Sequence, residues 1–168
     1  KVVVIAFIAI GPALGGMIGL ATAGADKKTE IKAELDSCPL PELTRFLNGP
    51  EWTSRPRTLM ASANFGAEIL YRTPHLVVAT VHHRNTAGVY DGYRLFSTKD
   101  EAEALALVRK RRVDLLLLCP DSSHDGYFQT GEGTFYRRLK NGALPGWLSE
   151  IALPDKTGKA FRLFQVSL

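Results

Sequence analysis

Four consecutive polar residues able to bind an anion or move a proton stand at His82, His83, Arg84 and Asn85. They directly follow residues 75–81, an apolar, β-branched run typical of a buried strand. Arginine can hold a phosphate or carboxylate through two parallel hydrogen bonds, and histidine titrates near neutral pH. The stretch therefore indicates either an anion-binding site or an ordinary turn in which Asn85 caps the next helix.

Polar residues also follow two other apolar runs of the chain. Ser62 and Asn64 come at the end of residues 57–62, and residues 121–125 follow the run at 113–119. Ligands of open parallel sheets bind beyond the carboxyl ends of the strands, so these strand ends predict one polar crevice. Asn64 has an alternative role as the N-cap of a helix.

The paired histidines invite a test for a metal site. Neighbouring residues of an extended segment point in opposite directions, so His82 and His83 cannot readily bind one ion. No closely spaced cysteine or glutamate completes a zinc-binding set. We therefore expect no metal and no other cofactor in this chain.

The elements that must position these residues follow from the spacing of apolar side chains. We predict a helical region at 26–48, divided by prolines, and then three strands at 57–62, 75–81 and 113–119. Between these strands we predict helices at 64–71 and 86–96 and a third helix that begins with a capping box at 98–101 and runs to 110. The last strand is followed by a helical stretch at 133–139 and a hairpin of 147–153 and 160–167, joined by a turn at 155–158. Strands that alternate with helices predict the α/β class, here a small, mostly parallel three-layer sheet with a C-terminal antiparallel hairpin, preceded by one transmembrane helix.

The N-terminal segment, residues 2–25, carries no charge in a chain with 21 lysines and arginines and 17 aspartates and glutamates. As a helix with about 1.5 Å rise per residue, its first 22 residues would span roughly 30 Å, the thickness of a bilayer core. The small residues at 21–25 also suit an export signal. We expect residues 1–25 to be a transmembrane helix or an uncleaved export signal of a fragment, and residues 26–168 to be one soluble domain.

Cys38 and Cys119 are the only two cysteines. In an exported chain an even count suggests one disulfide, and chain-entropy estimates for so long a loop give on the order of 4 to 5 kcal/mol of stabilisation. The alternative is that both are small buried apolar residues.

The charge balance is mild, with a net charge of +4 and a pI of 9.2. The one basic run, residues 109–112, ends a predicted helix, where cations suit the helix dipole. We therefore expect no nucleic-acid partner.

Several short motifs occur in a fixed order: Asn64-Phe65-Gly66, residues 71–75, residues 82–85, Gly88 with Asp91, residues 96–102 and residues 113–116. This order resembles the soluble tail of certain bacterial multi-pass inner-membrane proteins similar to the GT-C class of glycosyltransferases, which use lipid-linked sugars. More remotely it resembles the extracytoplasmic domain of the oligosaccharyltransferase catalytic subunit. There the first strand ends in Trp-Trp-Asp-Tyr-Gly, whereas this chain has no tryptophan at that place and Asn64 instead of the acid, so recognition of a peptide acceptor is not implied.

The resemblance implies a periplasmic domain that follows the last transmembrane helix of an inner-membrane glycosyltransferase and contacts the membrane and the protein's other transmembrane helices. It implies binding of a polyprenyl-phosphate-linked sugar, or another anionic ligand, by Asn64, His82, His83, Arg84, Asn85 and Asp91. The catalytic carboxylates of that class lie in an early loop, so no catalytic residue is assigned here and the chain alone should be inactive. From helix spacing alone, Asp91 could instead pair with Arg94.

Two other functions fit the same residues. One is an exported or membrane-anchored module that binds a small anionic ligand in the crevice. The other is a structural docking domain whose polar strand ends are only helix caps and salt bridges.

Overall fold

The computed structural model describes residues 37–129 and 131–168, and Ser37–Leu168 form one compact unit. The predicted transmembrane segment, residues 1–25, lies outside the described residues. Within the described ranges, no helix is both long enough and apolar enough to cross a membrane.

The described chain alternates helices with short strands. The elements are α1 (Leu40–Leu47), α2 (Pro50–Thr53), β1 (Thr58–Met60), α3 (Ala63–Arg72), β2 (Leu76–Val77), a 3₁₀ turn (His83–Asn85), α4 (Thr86–Ser97), α5 (Glu101–Arg111), β3 (Leu115–Leu118), a 3₁₀ turn (Ser123–Asp125), α6 (Gly126–Gln129), α7 (Phe135–Lys140), β4 (Leu148–Ile151), α8 (Asp155–Ala160) and β5 (Arg162–Val166).

The strands of the described residues form one mixed sheet in the order β2-β1-β3-β5-β4. β1 pairs in parallel with β2 and β3, and β5 pairs antiparallel with β3 and β4. This confirms the α/β class and the antiparallel hairpin. The prediction of a mostly parallel sheet is corrected to a mixed one, because the hairpin adds two antiparallel pairings to the two parallel ones.

The core lies on both faces of this sheet, and β3 shows the arrangement most directly. Leu115 and Leu117 pack in a cluster that contains the buried residues of α1 and α3. Leu116 and Leu118 point the other way, into a cluster shared with α4, α5 and α7. Because successive side chains of a strand alternate between faces, a strand covered on both sides must be apolar throughout, as the sequence predicted.

Besides shifts of one or two residues at the ends of most elements, three predictions differ from the structure. The strand predicted at 75–81 is only two residues long, Leu76–Val77; the Val78 amide still donates to the Leu59 carbonyl of β1 at 2.9 Å, and the regular pairing ends there. α5 is capped by Asp100, whose carboxylate accepts a hydrogen bond from the Ala102 amide at 2.8 Å, and not by Thr98. The predicted turn at 155–158 belongs to α8.

The predicted disulfide is present in the structure. Cys38 lies just before α1 and Cys119 just after β3, and the bond closes a loop with a sequence separation of 81. Both residues are buried. The bond therefore ties the N-terminal end of the described chain to the central sheet, and it fits an oxidising compartment.

His75 is buried between α1 and β1 and makes two specific contacts. Its Nδ1 accepts a hydrogen bond from the Arg57 amide at 3.2 Å, and its Nε2 lies 3.0 Å from the Leu47 carbonyl oxygen. The neutral ring thus carries its proton on Nε2 and donates it to Leu47. Burial lowers the pKa of His75 below its ordinary value, and the nearby Arg57 charge acts in the same direction.

We expect His75 to make the stability of the domain depend on pH. The unfolded chain binds a proton on this ring below pH 6.5, whereas the folded protein resists protonation until a lower pH. The contribution of His75 is therefore complete above pH 6.5 and is lost as the pH falls towards the lowered folded pKa. Denaturant unfolding measured over this pH range should show the free energy of unfolding decline in wild type and in H83Q, an exposed-histidine control. The decline should be smaller in H75Q. An equal decline in H75Q would contradict the assignment.

Candidate functional site

The predicted polar stretch forms an exposed turn between β2 and α4. His82 has an extended backbone, and His83–Asn85 form a single 3₁₀ turn that leads directly into the twelve-residue helix α4. His82, His83 and Arg84 are exposed. Residues His82–Asn85 are called the cationic turn from here on, since three of its four side chains are basic or can become so.

Hydrogen bonds fix the backbone of the cationic turn. The imidazole Nδ1 of His82 accepts from the Arg84 amide at 3.3 Å, and Thr86 Oγ1 donates to the His83 carbonyl at 3.1 Å. Asn85 Nδ2 donates to the Val78 carbonyl at 3.3 Å. Asn85 thus closes the loop between β2 and α4, and its side chain does not cap α4 as the sequence suggested.

Two glycines allow the start of this loop, residues 78 and 79, to pack closely against the flanking helices. Gly66 of α3 lies so close to the Ala79 carbonyl that any Cβ at this position would overlap the oxygen, and Gly88 of α4 approaches the Val78 carbonyl in the same way. Residues 78 and 79 are therefore each held against a helix, Val78 against α4 and Ala79 against α3. Because this clamp consists of backbone contacts, it positions the cationic turn rigidly.

The two histidine rings lie side by side, contrary to the expectation that they diverge. Their centroids are 4.3 Å apart with 30° between the ring planes. The difference arises because only His82 is extended while His83 already belongs to the 3₁₀ turn. Within the described residues no group of three or more histidine, cysteine, aspartate or glutamate side chains is placed to hold a metal ion.

The basic side chains of the cationic turn differ from most neighbouring cations in having no ion-pair partner among the described residues. Arg72 pairs with Glu68, one turn away on the same helix, and Arg94 pairs with Glu103. Arg84 makes no such contact. Its guanidinium is therefore available to an external anion without breaking a native ion pair.

The structure places Asp91 in an ion-pair network between two helices, and its predicted role in ligand binding stays a prediction. Its carboxylate is buried between α4 and α5, 2.8 Å from Lys110 Nζ and 2.6 Å from Arg111 Nε. Arg111 also donates to the Ala87 carbonyl at 2.7 Å. Burial alone would raise the pKa of Asp91, but the hydrogen bonds from the two cations outweigh it and lower the pKa. Asp91 thus joins two helices and does not pair with Arg94.

The residues after β1 are placed in the first turn of α3. Ser62, and not Asn64, occupies the N-cap position, and its side chain makes no capping hydrogen bond there. Asn64 is exposed. Among the described residues no side-chain hydrogen bond joins Asn64 to the cationic turn, so the structure leaves its predicted role as a ligand-binding residue a prediction.

The polar residues after β3 are divided between surface and interior, and Asp121 and Ser123 are exposed. Ser122 and Asp125 are buried, and the Tyr136 hydroxyl lies 3.0 Å from Asp125 Oδ2 and 3.3 Å from the Cys119 carbonyl oxygen. Burial and the Asp125 charge raise the pKa of Tyr136, which stays protonated. Ser122 and Asp125 are therefore taken up by packing, and among the side chains that the structure describes at the three strand ends, only those after β2 include exposed basic groups.

An apolar groove that the sequence analysis did not predict lies beside the cationic turn. It has a volume of about 600 Å³ and is lined by Ala67, Leu70, Tyr71, Thr80, Val81 and His82. Its walls come from α3 and from the loop that follows β2. Apolar Leu70 and Tyr71 near the end of α3 were the available signal, but periodicity alone assigns such residues to the core.

Comparison with known proteins gives a structural likeness only. No family model and no curated sequence matches this chain. The C-terminal globular domain of an oligosaccharyltransferase from Archaeoglobus fulgidus matches with a TM-score of 0.57 and 16% sequence identity, over 76% of this chain and 95% of that one. A second structure of such a domain from the same organism has a TM-score of 0.46 and 17% identity, over 82% and 95% of the two chains. The fold is thus similar to that of the first domain.

Proposed function

We propose that this chain provides the soluble domain of a membrane glycosyltransferase that uses a polyprenyl-phosphate-linked sugar. The domain helps to bind the phosphate of the donor or the acceptor, and the catalytic carboxylates belong to another part of the protein. Its place is the periplasmic side of a bacterial inner membrane. The likeness of its fold to an oligosaccharyltransferase domain and the disulfide support this assignment.

The observation that carries the proposal is the cationic turn. It presents Arg84 and two histidines to solvent without ion-pair partners in the described chain, at the N-terminus of a helix of twelve residues. The N-terminal end of a helix attracts phosphate through free amides and through its dipole. Fixed backbone hydrogen bonds reduce the entropy that the turn would lose on binding.

Each side chain of the turn has a distinct role in this proposal. The Arg84 guanidinium donates two parallel hydrogen bonds to phosphate oxygens. His82 Nδ1 already accepts from the Arg84 amide, so the neutral ring carries its proton on Nε2 and donates from that atom. His83 lies against His82 and adds a second donor. Asn85 holds the loop closed through Val78 and does not contact the ligand.

The test is the substitution R84A in the full-length protein, with sugar transfer measured against donor concentration. A hydrogen bond to a charged group contributes about 1.5 to 3 kcal/mol, so we expect a loss of roughly tenfold to a hundredfold in kcat/KM. R84K keeps the charge but not the paired hydrogen bonds and should fall between R84A and wild type. R45A, at an exposed arginine of α1, is the matched control. Wild-type transfer by a folded R84A protein would refute the role of Arg84.

A further inference from the structure

Large apolar side chains are exposed together at the β2 edge of the sheet. Tyr71 is 87% exposed, Val81 67%, Leu76 55% and Leu70 45%. Leu70 and Tyr71 lie near the C-terminal end of α3, Leu76 lies on the edge strand itself, and Val81 precedes the cationic turn. These four residues are called the apolar edge; Leu70, Tyr71 and Val81 line the groove described above, and Leu76 lies on the edge strand.

Packing within the domain does not explain the apolar edge. The two cores of the described chain are complete without it, and its side chains remain in water at a cost of about 25 cal/mol per Å² of apolar surface. Isolated apolar residues are common on protein surfaces, but a cluster that surrounds a groove marks a contact site.

The basic side chains beside the apolar edge indicate that its partner carries negative charge. The cationic turn follows Val81 directly and adds basic side chains with no ion-pair partner in the described chain. On α3 the nearest acid, Glu68, is already paired with Arg72 at 2.8 Å. An aromatic residue, aliphatic residues and free cations side by side match the interface of a bilayer, where apolar groups enter beneath anionic headgroups.

We propose that the apolar edge docks the domain onto the surface of an anionic phospholipid bilayer. Leu70, Tyr71 and Val81 enter the headgroup region, and the cationic turn contacts lipid phosphates. Docking of this kind does not depend on sugar transfer. It would bring the cationic turn to the depth at which a lipid-linked phosphate lies.

The sequence outside the described residues also favours a bilayer as the partner. Residues 2–25 carry no charge, which predicts a membrane segment, and eleven residues separate them from Ser37. A bilayer that contained that segment would therefore be separated from the folded domain by only eleven residues of chain.

Single labelled cysteines in the full chain test the proposal. The two native cysteines are bonded to each other, so Y71C or V81C provides one free thiol for an environment-sensitive fluorophore. S149C, exposed on β4 at the opposite edge of the sheet, is the control. Each labelled chain is reconstituted into vesicles of phosphatidylcholine, with or without phosphatidylglycerol, and lipids brominated in their acyl chains serve as quenchers.

We expect the probes at 71 and 81 to shift to the blue and to be quenched by brominated lipid in the anionic vesicles, and the probe at 149 to do neither. Added salt or the H82A/H83A/R84A variant should reduce the quenching. Absence of quenching, equal quenching at 149, or a blue shift without quenching would overturn the proposal, the last because it means a protein covers the surface. Equal quenching in neutral vesicles would overturn anionic lipid as the partner.

Discussion

Replacement of Gly88 by alanine is expected to destabilise the domain by roughly 3 kcal/mol. A Cβ at this position would overlap the Val78 carbonyl oxygen and the Asn85 side chain. Neither obstacle is the flexible end of a long side chain, since one is backbone and the other is held by its hydrogen bond to Val78. The loop must therefore move away from α4, and the cationic turn must move with it.

G66A should have an effect of similar size, because its Cβ would overlap the Ala79 carbonyl and lie 3.0 Å from the carbonyl carbon. Both variants are measured by equilibrium denaturation of the full chain. A loss of less than about 1 kcal/mol in each would show that the loop yields easily, and would contradict the description of a rigid clamp.

Gly92 provides a matched control in the same helix. A Cβ there would meet only the Met60 sulfur at 3.5 Å, an ordinary van der Waals contact. Alanine favours the helix interior over glycine by about 0.5 to 1 kcal/mol, so G92A should stabilise the domain slightly. If G88A lowers the free energy of unfolding and G92A raises it, the effect of G88A comes from the close approach at Gly88 and not from helix propensity.

The clamp also explains why the second strand was predicted too long. Residues 75–81 are apolar and β-branched, which is the correct local signal for a strand. The pairing nevertheless ends after the Val78 amide, and the Val78 and Ala79 carbonyls lie against glycines of two helices instead of continuing a ladder. The close approaches join Gly66 to Ala79 and Gly88 to Val78, and no pattern within a single segment reports them.

Asp91 illustrates a signal that the sequence did contain. Gly88, Asp91, Gly92 and Leu95 are all buried and follow the spacing of one helix face. An acid on a buried face must be paired, and its partners, Lys110 and Arg111, lie nineteen and twenty residues further along. Helix spacing could place Asp91 in the interior but could not identify cations on another helix.

The elements that were predicted well have patterns that leave little choice. The Leu115–Leu118 run permits only a strand buried on both faces, and its two sides do lie in different cores. The cationic turn was located because polar residues followed an apolar run, a local feature. Whether its side chains would be paired depended on acids elsewhere in the chain, and only the structure resolves that.

Removal of the disulfide is expected to cost on the order of 4 to 5 kcal/mol of unfolding free energy, because the bond closes a loop with a sequence separation of 81. The loop includes β1, β2 and all of β3, so the bond limits the unfolded chain over three of the five strands of the described sheet. C38A/C119A should unfold at clearly lower guanidinium concentration than wild type. Hydrogen exchange should show the loss first in α1, which the bond connects to the end of β3.

A chemical control separates the crosslink from packing. Both cysteines are buried, so alanine also removes two sulfur atoms from the core, whereas reduction of wild type breaks the bond and leaves the sulfurs. If the crosslink accounts for the stability, reduced wild type should lose most of what the double variant loses. A reduced protein as stable as the oxidised one would mean that the cysteines act as buried apolar residues, the alternative that the sequence left open. The disulfide would then cease to favour an oxidising compartment.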